Sequence, residues 1–199
     1  ATKMLFGKDT QLKVGKEIKK YGATKVLLVY GGTSIKKSGL YDTVVDKLNE
    51  EKLSFIELPG VVPNPRVSLV RKGIEICRNE NVDFLLAVGG GSVIDTCKAI
   101  SFGVFYSGDV WDLIMHKVEP GEKHLPVADI LTLPAAGSEE SDSCMISDET
   151  LMIKSGFGSP YMRPVFSIMN PELTFSLPLY QTACGCMDIM SHTMERYFS

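Results

Sequence analysis

The stretch Phe84-Leu85-Leu86-Ala87-Val88-Gly89-Gly90-Gly91-Ser92-Val93-Ile94-Asp95 constrains the chain more than any other. It opens on an unbroken apolar run, which suits a parallel strand covered on both faces. Three glycines follow, letting the backbone turn sharply and approach a ligand with no Cβ in the way. Val93, Cys97 and Ile100 recur at helical spacing, so a helix is expected over 92–105. Ser92 is placed to cap it, and Asp95 completes a capping-box pattern. A helix that starts in this way offers free N–H groups at the positive end of its dipole, an anion site into which a pyrophosphate fits. Taken alone, the turn serves equally as a ligand-free connection, and it is not the G-x-G-x-x-G fingerprint.

The segments before this stretch repeat its plan. A short helix is expected over 10–20, with Leu12 and Ile18 facing inward, and Lys25–Tyr30 reads as a buried strand. Gly31-Gly32-Thr33-Ser34 forms a second glycine turn. Leu40, Val44 and Leu48 mark an amphipathic helix over 39–51, followed by a strand at Ser54–Leu58. Two prolines make Val61-Val62-Pro63-Asn64-Pro65 irregular. Val67, Val70, Ile74 and Cys77 then mark a helix to about Asn79. Two strand–helix units before a central strand predict an α/β fold, Rossmann-like and doubly wound, with a mainly parallel sheet. Such sheets place ligands at the carboxyl ends of their strands, where both glycine turns lie.

Beyond the central helix, a polar loop carries His116 and His124, both expected to be solvated. A strand over 126–133 leads into a third small-residue turn, Pro134-Ala135-Ala136-Gly137-Ser138-Glu139. A hairpin is expected over 144–154 and a strand over 165–169. From Pro178 the pattern turns helical through Leu179, Ala183, Met187, Met190, Met194 and Tyr197. The expected domains are a dinucleotide-binding α/β unit over 1–176 and, over 177–199, the first helix of a truncated all-α domain. Both ends read as cuts, the later one because no helix stop precedes Tyr197-Phe198-Ser199.

The net charge of −3 gives no reason to expect nucleic-acid or membrane-surface partners. No apolar run reaches transmembrane length, and the first residues lack a signal-peptide layout. The five cysteines are odd in number and sit mostly in apolar periodic segments, as reduced thiols of a cytoplasmic protein would.

Asp188 and His192 are one helical turn apart and share a face, with Glu195 on the same side. They can reach one divalent ion, or they form a solvated surface pair. Cys184 and Cys186, two residues apart, point away from each other and cannot share a metal on a helix. The turn at Gly31–Ser34 carries no acid for a ribose 2′-hydroxyl. Its hydroxyls, with Lys36 and Lys37, suit a 2′-phosphate and tip the reading toward NADP over NAD. The same lysines also fit an ordinary solvated helix start.

Together these pieces resemble the iron-containing (group III) alcohol dehydrogenases, and more closely their butanol-dehydrogenase-like branch. The resemblance is carried by 60–65, 83–94, Val110-Trp111-Asp112, 131–139, 170–174, Gln181-Thr182-Ala183 and Asp188-x-x-x-His192-x-x-Glu195-x-Tyr197, which cover almost the whole chain in order. It implies pyrophosphate binding by Gly90, Gly91 and Ser92, with Asp95 in the same cofactor set. It implies further contacts to NADP or NAD from Gly32, Ser34, Thr132, Ser138, Lys154 and Leu177. It makes Asp188 and His192 the first two of four ligands to a catalytic Fe²⁺, or Zn²⁺. No catalytic side chain is identified.

Two departures stand out: Ala136 occupies a position where the family often has Thr, and the family's other two metal ligands belong to a downstream helical domain. The segment that usually precedes Thr2 and pairs across the dimer is also mostly absent. The implied reaction is hydride transfer between nicotinamide and a primary alcohol or aldehyde, in an intact protein that is a homodimer. This chain alone is expected to be an inactive cofactor-binding fragment. Two alternatives stay open: a dehydroquinate-synthase-like lyase, for which Arg196 is the nearby basic residue, and a non-catalytic nucleotide-binding module.

Overall fold

A computed structural model describes residues 1–198. The chain runs β1 (Lys3–Phe6), a 3-10 turn at Thr10–Lys13, α1 (Val14–Lys19), β2 (Lys25–Tyr30), α2 (Ser34–Lys37) and α3 (Leu40–Glu50). It continues through β3 (Ser54–Leu58), α4 (Val67–Glu80), β4 (Phe84–Gly90), α5 (Gly91–Gly103), α6 (Val110–Ile114) and β5 (Val127–Leu133). It ends with β6 (Ser143–Asp148), β7 (Ile153–Gly158), β8 (Phe166–Met169) and α7 (Leu179–Phe198).

Six strands form one sheet in the order β1-β8-β5-β4-β2-β3, with parallel pairing throughout. Side chains alternate across a strand, so each face needs its own apolar set. Leu27, Val29, Leu85 and Ala87 point into one core with Ile74, Ile94 and Ile100. Val26, Leu28, Phe84 and Leu86 point into the other with Val14, Ile18, Val44 and Leu48. Helices on both faces are why the strands read as continuous apolar runs. α1 crosses α3 so closely that a Cβ on Gly15 would lie 2.0 Å from the Lys47 carbonyl oxygen.

The chain moves outward from β2 to β3, then crosses back to place β4 on the other side of β2. The topological switch point therefore lies between the carboxyl ends of β2 and β4, which is where an open α/β sheet takes its ligand. The two glycine turns flank it.

Several expectations change. β1 lies outside the expected elements: it is a four-residue edge strand whose partner, β8, lies far along the sequence. The segment expected as loop after α5 contains α6, capped by Asp109, whose carboxylate accepts from the Trp111 N–H at 2.7 Å. The helix expected over 10–20 divides into a 3-10 turn and α1. β4 extends through Gly90 to pair with Leu133 of β5, so α5 starts at Gly91 and Gly90 is its N-cap. Ser92 consequently lies inside the helix, and the capping box does not form. His124 is not simply solvated but stacks on Phe102 and Tyr161, with centroids 5.6 and 5.8 Å away. Among the described residues, no helix is long and apolar enough to cross a membrane.

Candidate functional site

The first turn of α5 opens at the switch point with no side-chain cap. Its leading N–H groups lack intrahelical partners by construction and form the positive end of the helix dipole. A Cβ on Gly90 would come within 3.1 Å of Leu133 Cβ, and one on Gly91 within 3.0 Å of Ala136 Cβ. The glycines thus let the turn after β5 close against the turn after β4. What remains is a narrow backbone-lined cradle, a fit for a pyrophosphate. At the end of β2, Gly32 and Ser34 are exposed, and a Cβ on Gly32 would meet nothing within 4 Å.

The wall beside this cradle is the loop between β5 and β6, and α5 holds it. Ser138, buried, donates its hydroxyl to Asp95 Oδ1 at 2.6 Å, and the Met145 N–H donates to Asp95 Oδ2 at 3.0 Å. Both carboxylate oxygens expected to face a cofactor are therefore engaged inside the protein. Burial raises the Asp95 pKa, against the lowering effect of those two donors. Lys98 is fully buried, and its ammonium donates to Ser138 O at 2.7 Å, Ser141 O at 2.9 Å, Ser141 Oγ at 3.1 Å and Ser143 O at 3.0 Å. Burial pulls its pKa down, partly offset by nearby Asp95. From outside, Arg163 grips the same loop at Glu140 O and Asp142 Oδ2, both at 2.6 Å. Sequence reasoning missed Lys98 and Arg163, whose partners here are mostly backbone carbonyls and leave no motif.

Thr132 is half-buried at the end of β5. Lys154, on β7, is exposed and donates to Asn64 Oδ1 at 2.8 Å, tying the hairpin to the proline-flanked loop. Leu177 is half-buried beside α7.

Near the end of β2 the structure supplies the acid that the local sequence lacks. Glu57, on β3, accepts from Tyr30 and, at 2.7 Å, from Tyr41, and lies 3.8 Å from the Lys36 ammonium. Lys36 also sits 4.5 Å from the Tyr41 ring centroid. The hydrogen bond from Tyr30 is the largest influence holding the Glu57 carboxyl below its usual pKa. Lys36 is therefore not a free cation.

Asp188 and His192 face each other on α7 with Oδ1–Nε2 at 3.6 Å, and Glu195 lies 3.8 Å from the other ring nitrogen. A cleft of ≈ 480 Å³, lined by Leu133, Pro134, Leu177, Cys184 and Asp188 among others, separates α7 from the β5 turn. A second cleft includes Ala136 and His192. The pair fits two positions around a divalent ion. Among the described residues, no group of three or more His, Cys, Asp or Glu is placed to hold one.

The sequence profile for iron-containing alcohol dehydrogenase matches residues 1–171. The chain is 52% identical to NADH-dependent butanol dehydrogenase A of Clostridium acetobutylicum, over all of this chain and 50% of that protein. It is 36% identical to the NADPH-dependent aldehyde reductase YqhD of Escherichia coli, over 98% of this chain and 50% of that protein. The crystal structure of NADH-dependent butanol dehydrogenase A from Thermotoga maritima superimposes with a TM-score of 0.93 at 44% identity, over 98% of this chain and 48% of that one. The chain spans about half the length of the curated relatives it matches.

Proposed function

This chain belongs to the iron-containing alcohol dehydrogenase family, and on that premise we propose that it forms the dinucleotide-binding part of an oxidoreductase that moves hydride between nicotinamide and a primary alcohol or aldehyde. One observation carries the reading: two glycine turns flank the switch point, and an uncapped α5 opens its N–H groups there. The pyrophosphate lies on Gly90, Gly91 and Ser92. Gly32 and Ser34 meet the adenosine end, and Thr132, Ser138, Lys154 and Leu177 border the remainder. Asp95 acts through Ser138 rather than on the cofactor. The pairing of Lys36 with Glu57 and the NADH dependence named for the relative at 52% identity turn the preference from NADP toward NAD.

The chain's domains are a dinucleotide unit over 1–176 and, from 177, the start of a helical unit. Asp188 and His192 would supply two ligands to a divalent metal, iron in the family's name. Such an ion, when bound, polarises an alcohol oxygen as a Lewis acid. The chain's own work is to hold the nicotinamide end beside α7 and to limit water at the cleft. With two donors on an exposed helix, the 199-residue chain binds dinucleotide without turnover.

The test is titration with NADH and NADPH, followed by nicotinamide fluorescence, with and without Fe²⁺ or Zn²⁺. Saturable binding, tighter for NADH and unchanged by metal or by His192→Ala, supports the reading. Absence of binding to either dinucleotide overturns it. Dehydrogenase turnover by this polypeptide overturns the claim of an incomplete metal site.

A further inference from the structure

We infer that Lys98 is a positioning residue for the dinucleotide: its ammonium gathers three backbone carbonyls and one hydroxyl of the 138–143 loop and so fixes the wall against which the cofactor lies. The inference rests on the dinucleotide reading above for what that wall faces. A buried cation is costly, and an apolar side chain of similar length would fill the same space at less cost. The cation is held because Ser138 O, Ser141 O and Ser143 O converge on it at 2.7–3.0 Å. Ser143 O also accepts from the Ser141 hydroxyl at 3.1 Å, but three carbonyls turned inward together still need a donor at their centre, so the loop and the lysine support each other.

The geometry ties this loop to the anion cradle. Asp95 and Lys98 are three residues apart on α5, on one face, and both grip the 138–145 segment. The start of the same helix is the phosphate-facing turn. Lys98 lies roughly 10 Å along the helix axis from Gly91, at 1.5 Å per residue. One rigid rod therefore sets both the anion cradle and its neighbouring wall, and a Cβ on Gly91 would lie 3.0 Å from that wall at Ala136 Cβ. Pre-organisation of this kind lowers the ordering cost of binding.

The experiment compares the protein with Lys98→Met, which keeps the stem and removes the donors, and Lys98→Gln, which keeps one donor group. NADH affinity is read by nicotinamide fluorescence, and amide hydrogen exchange is read along the chain. The expected result is NADH binding at least about tenfold weaker in Lys98→Met and intermediate in Lys98→Gln. Faster exchange is expected over 137–145, with β2 and β4 protected as before. A purely structural role would instead raise exchange throughout and lower thermal stability without a selective loss of NADH. A folded variant that binds NADH like the parent overturns the inference, and so does failure of both variants to fold, since Lys98 would then determine the fold itself. If the parent binds neither NADH nor NADPH, the dinucleotide reading fails first and the inference falls with it. A parent that binds beside variants that bind equally well sinks the inference alone.

Discussion

Ser138 donates its hydroxyl to Asp95 at 2.6 Å, joining the turn after β5 to the helix that starts at the end of β4. Ser138→Ala removes a donor from the half-buried Asp95 carboxylate. The expected loss is about 1–3 kcal/mol of unfolding free energy, the usual worth of a hydrogen bond to a charged group. Urea unfolding of the variant beside the parent measures it, and an unchanged midpoint would mean that the loop holds without this bond.

Gly15 and Gly91 separate stability from binding. Gly15→Ala drives a Cβ into the Lys47 backbone and forces α1 from α3, for a loss of about 1–3 kcal/mol or more. Gly91→Ala is tight only against Ala136 Cβ, at 3.0 Å, with Ser138 Cβ at an ordinary 3.8 Å, so its thermal midpoint should move little while NADH affinity falls. Adding Ala136→Gly removes the protein contact. Affinity that stays low in the double variant places the obstruction at the ligand; full recovery would assign it to the wall.

Asp129 lies fully buried in β5, with Oδ1 accepting from Ser167 at 2.6 Å and Oδ2 without a partner among the described residues. Burial raises its pKa well above the ordinary carboxyl value. The unfolded chain ionises this group near pH ~4, whereas the folded chain resists ionisation. Its contribution to stability is thus fully present below about pH 4 and is lost as pH rises toward the folded-state pKa. Asp129→Asn should match the parent at low pH and become progressively more stable than it toward neutrality. Thermal midpoints across pH 4–8 check this, and a pH-independent difference would refute it.

The thiols divide by position. Cys77, Cys97 and Cys144 are buried, and burial pushes the Cys77 thiol up to about 12 and raises the other two. Cys184 and Cys186 are exposed on α7. A disulfide reagent on the native 199-residue chain should titrate two thiols quickly and three only on denaturation. Rapid reaction of a third would show that the sheet domain opens locally.

The central elements were legible because a parallel sheet with two covered faces writes itself as apolar runs, as in Lys25–Tyr30 and Phe84–Val88. The glycine turns were legible because close backbone approach excludes side chains. β1 escaped because four residues carry too little periodicity, and its partner is remote. Lys98 escaped because it reads as an ordinary polar position on a helix until the loop that buries it is in place. Asp129 lies within the strand expected over 126–133, and its isolation depends on β4 and β8 pairing on either side of β5. The apparent absence of an acid near Gly31 failed for a similar reason: Glu57 is adjacent only after β3 pairs with β2.

The register of β1 on β8, from Lys3 against Phe166 to Phe6 against Met169, has a consequence for how the chain is made. β1 leaves the ribosome before β2 to β5, yet the strand it docks on is synthesised after all of them. Until then both β1 and the outer edge of β5 are open hydrogen-bonding edges, the surfaces most prone to pair wrongly. The long sequence separation of β1 and β8 makes closure of this edge slow, whatever the stability of the finished sheet.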